Sequence, residues 1–373
     1  MMRASHASDL HVRRAPPRPP RRAGRRLQPT CWCAFLAVVV LFSTLAAAPA
    51  AAWSDRTHAL AAEEAVQQLP SPLRDLFSGA ALERLRQAAI APDTWRKPGS
   101  PHYRPEERPN HFFNIDAITS TPYPFADFPR RREDALKQFG AAAFQEHGLA
   151  PWAAADALEA FTGALANGRT DDIFEKAGQL AHTTADLHMP FHLTKNYDGQ
   201  LSGNPGIHKA LEIGLVHRYF DFYSSEIRKQ RREAPYLADA QGRLFDWLTE
   251  TYARIGPILE ADAAARLATA YNPADHPEDL DDLQSERARP YYAAFKKELE
   301  ARGSPEAAAM RDAADHVAAL FYTAWVNAGK PLRLTPAPPP PQASPTGNLW
   351  WFLMPTAMLL IFFWPRRRPH LKS

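Results

Sequence analysis

The residues able to do chemistry gather in LAHTTADLHMPFHL, residues 180–193. His182 and Asp186 are four apart, so on a helix they share one face about one turn apart, a span one metal ion can bridge. Pro190 should end that helix, and His192 can swing back from the following turn. His208 and Glu212 repeat the four-residue spacing at the start of another helix. One His-x-x-x-carboxylate pair is weak, because most are surface pairs or capped core histidines. Two such pairs plus His192 between positions 182 and 212 point to metal binding.

Two further elements carry the same residue types. WSDRTH, residues 53–58, follows a small-residue stretch, AAAPAAA, residues 46–52. Cleavage after Ala52 makes Trp53 the first residue, with His58 close behind. A free α-amine has a pKa of about 7.7–8.0, so it can lose its proton and ligate a metal while its own carbonyl closes a chelate ring. The plainer reading makes Trp53 the first buried residue of the first helix. PNHFFNID, residues 109–116, brings His111, and APDTW, residues 91–95, brings Asp93. Trp95, Tyr103, Phe112 and Phe113 can stack a base, touch a lipid headgroup or simply pack; Phe112, next to His111, is the candidate substrate contact. His188 is expected beside the ligands or facing solvent, and His217 partly buried. His102, His147, His276 and His316 have no partner pattern.

Helices must position these groups. Residues 55–69, 80–91, 131–147, 151–167, 171–187, 205–231, 236–262, 284–302 and 305–328 are rich in helix formers. Apolar residues recur there at three- and four-residue spacing, as in Leu158, Phe161 and Leu165. Ser71-Pro72, Ala150-Pro151 and Ser304-Pro305 each place a proline just inside a helix start. No alternating strand run, internal repeat or glycine-rich phosphate loop is evident. Residues 92–130 read as a long irregular loop dense in proline and aromatics, and such loops are usually functional. The expectation is one all-α domain over residues 53–332.

The chain ends read as addresses. Residues 1–52 have a basic segment, an apolar run from Cys31 to Ala47 and an Ala-x-Ala site, the pattern of a secretory signal; an uncleaved anchor is the rival. Both cysteines lie in it, so a mature metal site must use nitrogen and oxygen ligands. A proline-rich linker, 333–348, leads to the apolar run 349–364 and a basic tail, 365–373. At about 1.5 Å per residue that run spans roughly 24 Å, short of a ~30 Å hydrocarbon core unless flanking residues help. It reads as a transmembrane anchor or a sorting signal on an exported protein, with a buried core helix as the alternative. Eight Arg against Asp9 in residues 1–52 and four basic residues in the tail leave 32 basic and 40 acidic side chains between. That acidic balance argues against a broad nucleic-acid surface. No stable protein partner is expected.

Taken in order, W-x4-H, D, HFF-N-I-D, H-x3-D-x5-H, NYDGQ and H-x3-E resemble the zinc-dependent phospholipase C and single-strand nuclease superfamily, over roughly residues 53–330. The resemblance implies an exported all-α phosphodiesterase with three zinc ions in one cleft. Carried over, one zinc takes Asp93, His111, His182 and Asp186; a second takes His192, His208 and Glu212; a third takes the Trp53 amine and carbonyl, His58 and the shared Asp186. Glu212 is similar to the phospholipase branch, and the short Trp53-to-His58 spacing to the nuclease branch. The expected nucleophile is a hydroxide bridging two zincs, its pKa lowered to about 7, with Asp93 also orienting water. Three Zn²⁺ against three carboxylates keep such a site cationic and suited to phosphate. The expected substrate is a phospholipid headgroup, held near the membrane by the tail. A single-stranded nucleic acid is the alternative, and a non-catalytic zinc-binding protein the third reading.

Overall fold

Ala-rich amphipathic segments punctuated by Gly and Pro give the chain its architecture, and no strand is present among the described residues. The computed structural model describes residues 54–229 and 231–331. Trp53, the expected signal segment, the proline-rich linker, the apolar run 349–364 and the basic tail lie outside the described residues. Among the described residues no helix is long and apolar enough to cross a membrane.

In chain order the helices are α1 (Asp55–Gln67), α2 (Ser71–Leu76), α3 (Ala80–Trp95), α4 (Ile115–Ile118), α5 (Arg132–Phe139), α6 (Ala141–His147), α7 (Ala150–Asn167) and α8 (Thr170–Asp186). After them come α9 (Ile207–Lys209), a π-helical segment Ala210–Leu215, α10 (Val216–Arg218) and α11 (Phe220–Arg228). The last are α12 (Ala240–Tyr252), α13 (Ile255–Thr269), α14 (Arg289–Ala301) and α15 (Pro305–Asn327). Proline stands at the first turn of α2, α7 and α15, where its missing N–H costs no helical hydrogen bond. Gly168, at φ +67°, stops α7 in the left-handed conformation.

The structure differs from the sequence expectation in several places. The helix expected over 80–91 continues through Pro92 to Trp95, so Asp93 stands on a helix rather than in a loop. Pro92 cannot donate to Ala88, and at that turn α3 crosses α8 so closely that a Cβ on Gly178 would lie 2.5 Å from the Ala88 oxygen. Tertiary packing there overrides the helix-breaking tendency of proline. The rest of the expected loop holds a 3₁₀ segment, Pro105–His111, and α4. Gly140, at φ +79°, divides the helix expected over 131–147 into α5 and α6. A break at Ala253 and Arg254 divides 236–262 into α12 and α13.

Two apolar cores form. Phe77, Phe113, Phe144, Trp152, Phe161 and Phe321 lie in one; Phe191, Leu211, Tyr291, Phe295 and Met310 lie in the other. Full burial of each aromatic stabilises by about 1.5–3 kcal/mol. Helix α8 packs on α3 and α7 and serves both cores. Its Leu180 and Ala181 join the first and Ala185 the second. His182 and Asp186 are therefore held where the two cores meet, by a helix packed against α1, α3, α7 and α15.

Candidate metal centre

Asp186 is the hub, and its carboxylate is fully buried. Oδ2 lies 2.9 Å from His111 Nδ1 and 3.2 Å from His182 Nε2. Oδ1 lies 3.4 Å from His58 Nε2 and 3.5 Å from His192 Nδ1. One side chain thus faces imidazoles brought from α1, α8, the 3₁₀ segment Pro105–His111 and the 3₁₀ segment Pro190–His192.

Three sets of ligand atoms come together, each with its atoms within 4.8 Å: His58, His182 and Asp186; Asp93, His111 and His182; and His192, His208 and Glu212. All eight residues are buried. They are the ligand residues expected from the sequence, apart from Trp53, which lies outside the described residues. The rings of His58 and His182 stack at 3.9 Å between centroids, and those of His192 and His208 lie 5.2 Å apart.

Neighbouring groups fix the tautomers. The Nδ1–H of His182 donates to the Ala89 carbonyl at 2.7 Å, turning Nε2 toward His111 and Asp186. The Nδ1–H of His208 donates to the Tyr197 carbonyl at 2.9 Å, leaving Nε2 to face Glu212 Oε2 at 3.1 Å. Backbone carbonyls at the far nitrogen are the usual orienters of ligating imidazoles. Glu212 stands on the π-helical segment, a local irregularity that recurs at functional sites. Gly214 on the same segment admits Tyr292, whose hydroxyl would lie 2.0 Å from any added Cβ.

Electrostatics sort these groups. Burial pushes His111 down to about 4, His192 to about 3 and His208 to about 4, so the neutral, metal-binding imidazole prevails at pH 7. Burial also lowers His58. Burial opposes ionisation of Asp186, but His182 and His192 outweigh it and hold the carboxyl well below its ordinary value. Glu212 goes the other way: burial first, then the nearby Asp93, raises it well above the carboxylate range. A cation beside Glu212 would restore its ionised form.

The donor set fits a metal on a second count. Both nitrogens of His58, His111 Nε2, Asp186 Oδ1, His192 Nδ1, His208 Nε2 and both oxygens of Glu212 are buried without a hydrogen-bond partner among the described residues. Buried polar atoms are ordinarily satisfied, and so many orphans in one place call for an ion. Nitrogen and oxygen donors without thiolate suit a divalent ion with open positions better than a closed structural site.

The sequence reading missed Arg96. Its Nε donates to Asp93 Oδ1 at 2.8 Å, and the side chain is 8% exposed. The available signal was the Asp-x-x-Arg spacing, legible only if α3 runs past Pro92. With His182 it overcomes the burial of Asp93 and keeps that carboxyl ionised. Phe112 joins none of the three sets; its ring is half-buried, with the Arg108 guanidinium 5.2 Å above it. Phe113 packs fully in the core.

His188 is buried rather than solvent-facing, donating from Nδ1 to the Thr184 carbonyl and bonding His316 through Nε2. His276, expected to lack a partner, meets Glu278 and Asp279. Arg287 already neutralises both carboxylates, so that group has no call for an ion. No family model matches the chain, and no curated protein matches it.

Proposed function

We propose that the chain is a zinc-dependent phosphodiesterase of the phospholipase C and single-strand nuclease type, acting on phospholipid headgroups outside the cell. The observation that carries this reading is the convergence of eight buried His, Asp and Glu side chains into three sets around Asp186, with orphaned donor atoms in each. Zinc, when bound there, supplies Lewis acidity toward a phosphoryl oxygen and acidifies water near neutral pH.

The chain's own groups do the rest. His111, His192 and His208 offer lone pairs because burial keeps them neutral. Asp186 spans two of the sets with its two oxygens, fixing their separation. Arg96 pairs its guanidinium with Asp93 and adds positive charge beside the site, against an acidic domain. Asp93 is held ionised and is the candidate to orient water. Glu212 resembles the phospholipase branch, and that resemblance favours the lipid reading. Hydrolysis at the glycerol–phosphate bond follows from that choice.

A second reading has its own observation. Phe112 next to His111, with Arg108 over its ring, is an aromatic and guanidinium pair of the sort on which a nucleobase stacks. It supports a single-stranded nucleic acid as substrate.

Side-by-side assays of the full chain on phosphatidylcholine vesicles and single-stranded DNA, with and without a chelator, separate the readings. Chelator-sensitive release of phosphocholine supports the lipid reading. Turnover of DNA alone supports the nuclease reading. Bound metal with neither substrate cleaved supports a non-catalytic metal-binding protein.

A further inference from the structure

His111 and His192 serve different ligand sets and lie far apart in sequence, yet their chain segments are tied together. The Phe113 N–H donates to the His192 carbonyl at 2.7 Å, and the Ile115 N–H to the Leu193 carbonyl at 3.3 Å. Asp116 closes this short pairing. Its Oδ2 accepts the Thr194 hydroxyl at 2.7 Å, and its Oδ1 accepts the Lys195 N–H at 2.7 Å. From α12 the Tyr252 hydroxyl adds a third hydrogen bond to Oδ2 at 3.2 Å.

The connection continues. The Thr194 hydroxyl, while donating to Asp116, accepts the Asn196 N–H at 3.1 Å. The next residue, Tyr197, presents the carbonyl that receives the Nδ1–H of His208. Asp198 Oδ1 also accepts the His208 N–H, at 3.3 Å. Hydrogen bonds therefore run from Asp116 through Thr194 to the Asn196 N–H, and the backbone carries the connection one residue further to Tyr197, which sets the tautomer of His208. Along the other direction, Thr194 lies two residues after His192.

We propose that Asp116 is a positioning residue that registers the set His192, His208 and Glu212 against the segment carrying His111. The inference rests on the metal-centre reading above. Two charge-assisted hydrogen bonds at 2.7 Å from one carboxylate are strong and directional. They fix the path of residues 193–197, and that path fixes where His192 and the carbonyl behind His208 can sit. Losing a group bonded directly to a ligand ordinarily weakens a metal ion by about 10- to 100-fold, and Asp116, one step further out, acts at the lower end of that range.

The test is a cobalt(II) titration of the full chain, read by visible absorption and by metal count. The ion that His208→Ala removes marks the set in question. Asp116→Ala should weaken that ion by about 10-fold and change its absorption. Thr194→Val, which deletes one hydroxyl and keeps the shape, should weaken it several-fold and stands in if Asp116→Ala does not fold. Tyr252→Phe removes the third hydrogen bond without touching the path to His208, and should leave affinity and spectrum as in the parent. Parent-like cobalt affinity in both Asp116→Ala and Thr194→Val overturns the proposal, whatever the change in melting temperature. Equal weakening by Tyr252→Phe also overturns it, since the role would then be general packing on α12. A parent chain with no ion sensitive to His208→Ala removes the metal reading itself.

Discussion

Glu306 offers a prediction whose size follows from the structure. It stands in the first turn of α15 with no solvent exposure; Oε1 accepts the Tyr223 hydroxyl at 3.1 Å, and Oε2 has no partner among the described residues. Burial raises its pKa from 4.5 to about 7, against the weaker pull of its own backbone N–H and of Tyr223. The folded chain therefore holds a proton that the unfolded chain releases near pH 4.5, so stability falls as pH rises from about 4.5 to 7 and then levels off. A shift of about 2.5 pH units at about 1.36 kcal/mol each costs roughly 3 kcal/mol at pH 8. Glu306→Gln keeps the shape and removes the ionisation. Urea unfolding of parent and variant, both stripped of metal, at pH 4.5 and pH 8 gives the difference that matters. The variant should gain about 2–3 kcal/mol on the parent between the two pH values, with the Tyr223 bond largely cancelling. No gain, or a loss, would refute the argument that this carboxyl is buried and neutral.

Three imidazoles should give the metal-free chain the opposite slope, against His182, which, despite burial, Asp186 and Asp93 raise above its ordinary value. Burial holds His111, His192 and His208 neutral down to about 4, 3 and 4, whereas the unfolded chain protonates them near 6.5. Their stabilisation is complete above pH 6.5 and is lost as pH falls toward 4, a steep acid transition that circular dichroism would follow and that excess zinc should shift to lower pH. Gly148→Ala should be severely destabilising: φ is +102°, and the added Cβ would lie 1.8 Å from the Phe112 oxygen. A cost of at least about 2 kcal/mol is expected from strain and overlap together. Because the neighbour is the segment carrying His111, metal affinity should fall in the same variant, measurable by chelator competition.

Helix periodicity and the ordered His and carboxylate spacing made the all-α class and the eight described candidate ligand residues legible. The His182–Asp186 and His208–Glu212 pairs are local, and a helical turn alone brings each together. The sharing of Asp186 among His58, His111 and His192 is a long-range fact, set by how α1 and two 3₁₀ segments meet α8. The family resemblance anticipated the sharing between His58 and His111, but not the approach of His192. Arg96 was illegible for a related reason. Pro92 signals a helix end, and the packing of Ala88 on Gly178 that carries α3 past it cannot be seen in local sequence. The pairing of His188 with His316, on α15, was equally hidden, since no spacing rule links α8 to so distant a helix. Asp116 sat in view within HFFNID, but its partners Thr194 and Lys195 belong to another segment.

The most direct test of the account is metal content of the purified protein, measured by elemental analysis beside phosphodiester turnover. Three zinc ions per chain, with turnover lost to chelation and restored by zinc, is the predicted result. Protein that folds with all eight buried candidate residues in place, binds no divalent metal and cleaves neither phosphatidylcholine nor single-stranded DNA would contradict it.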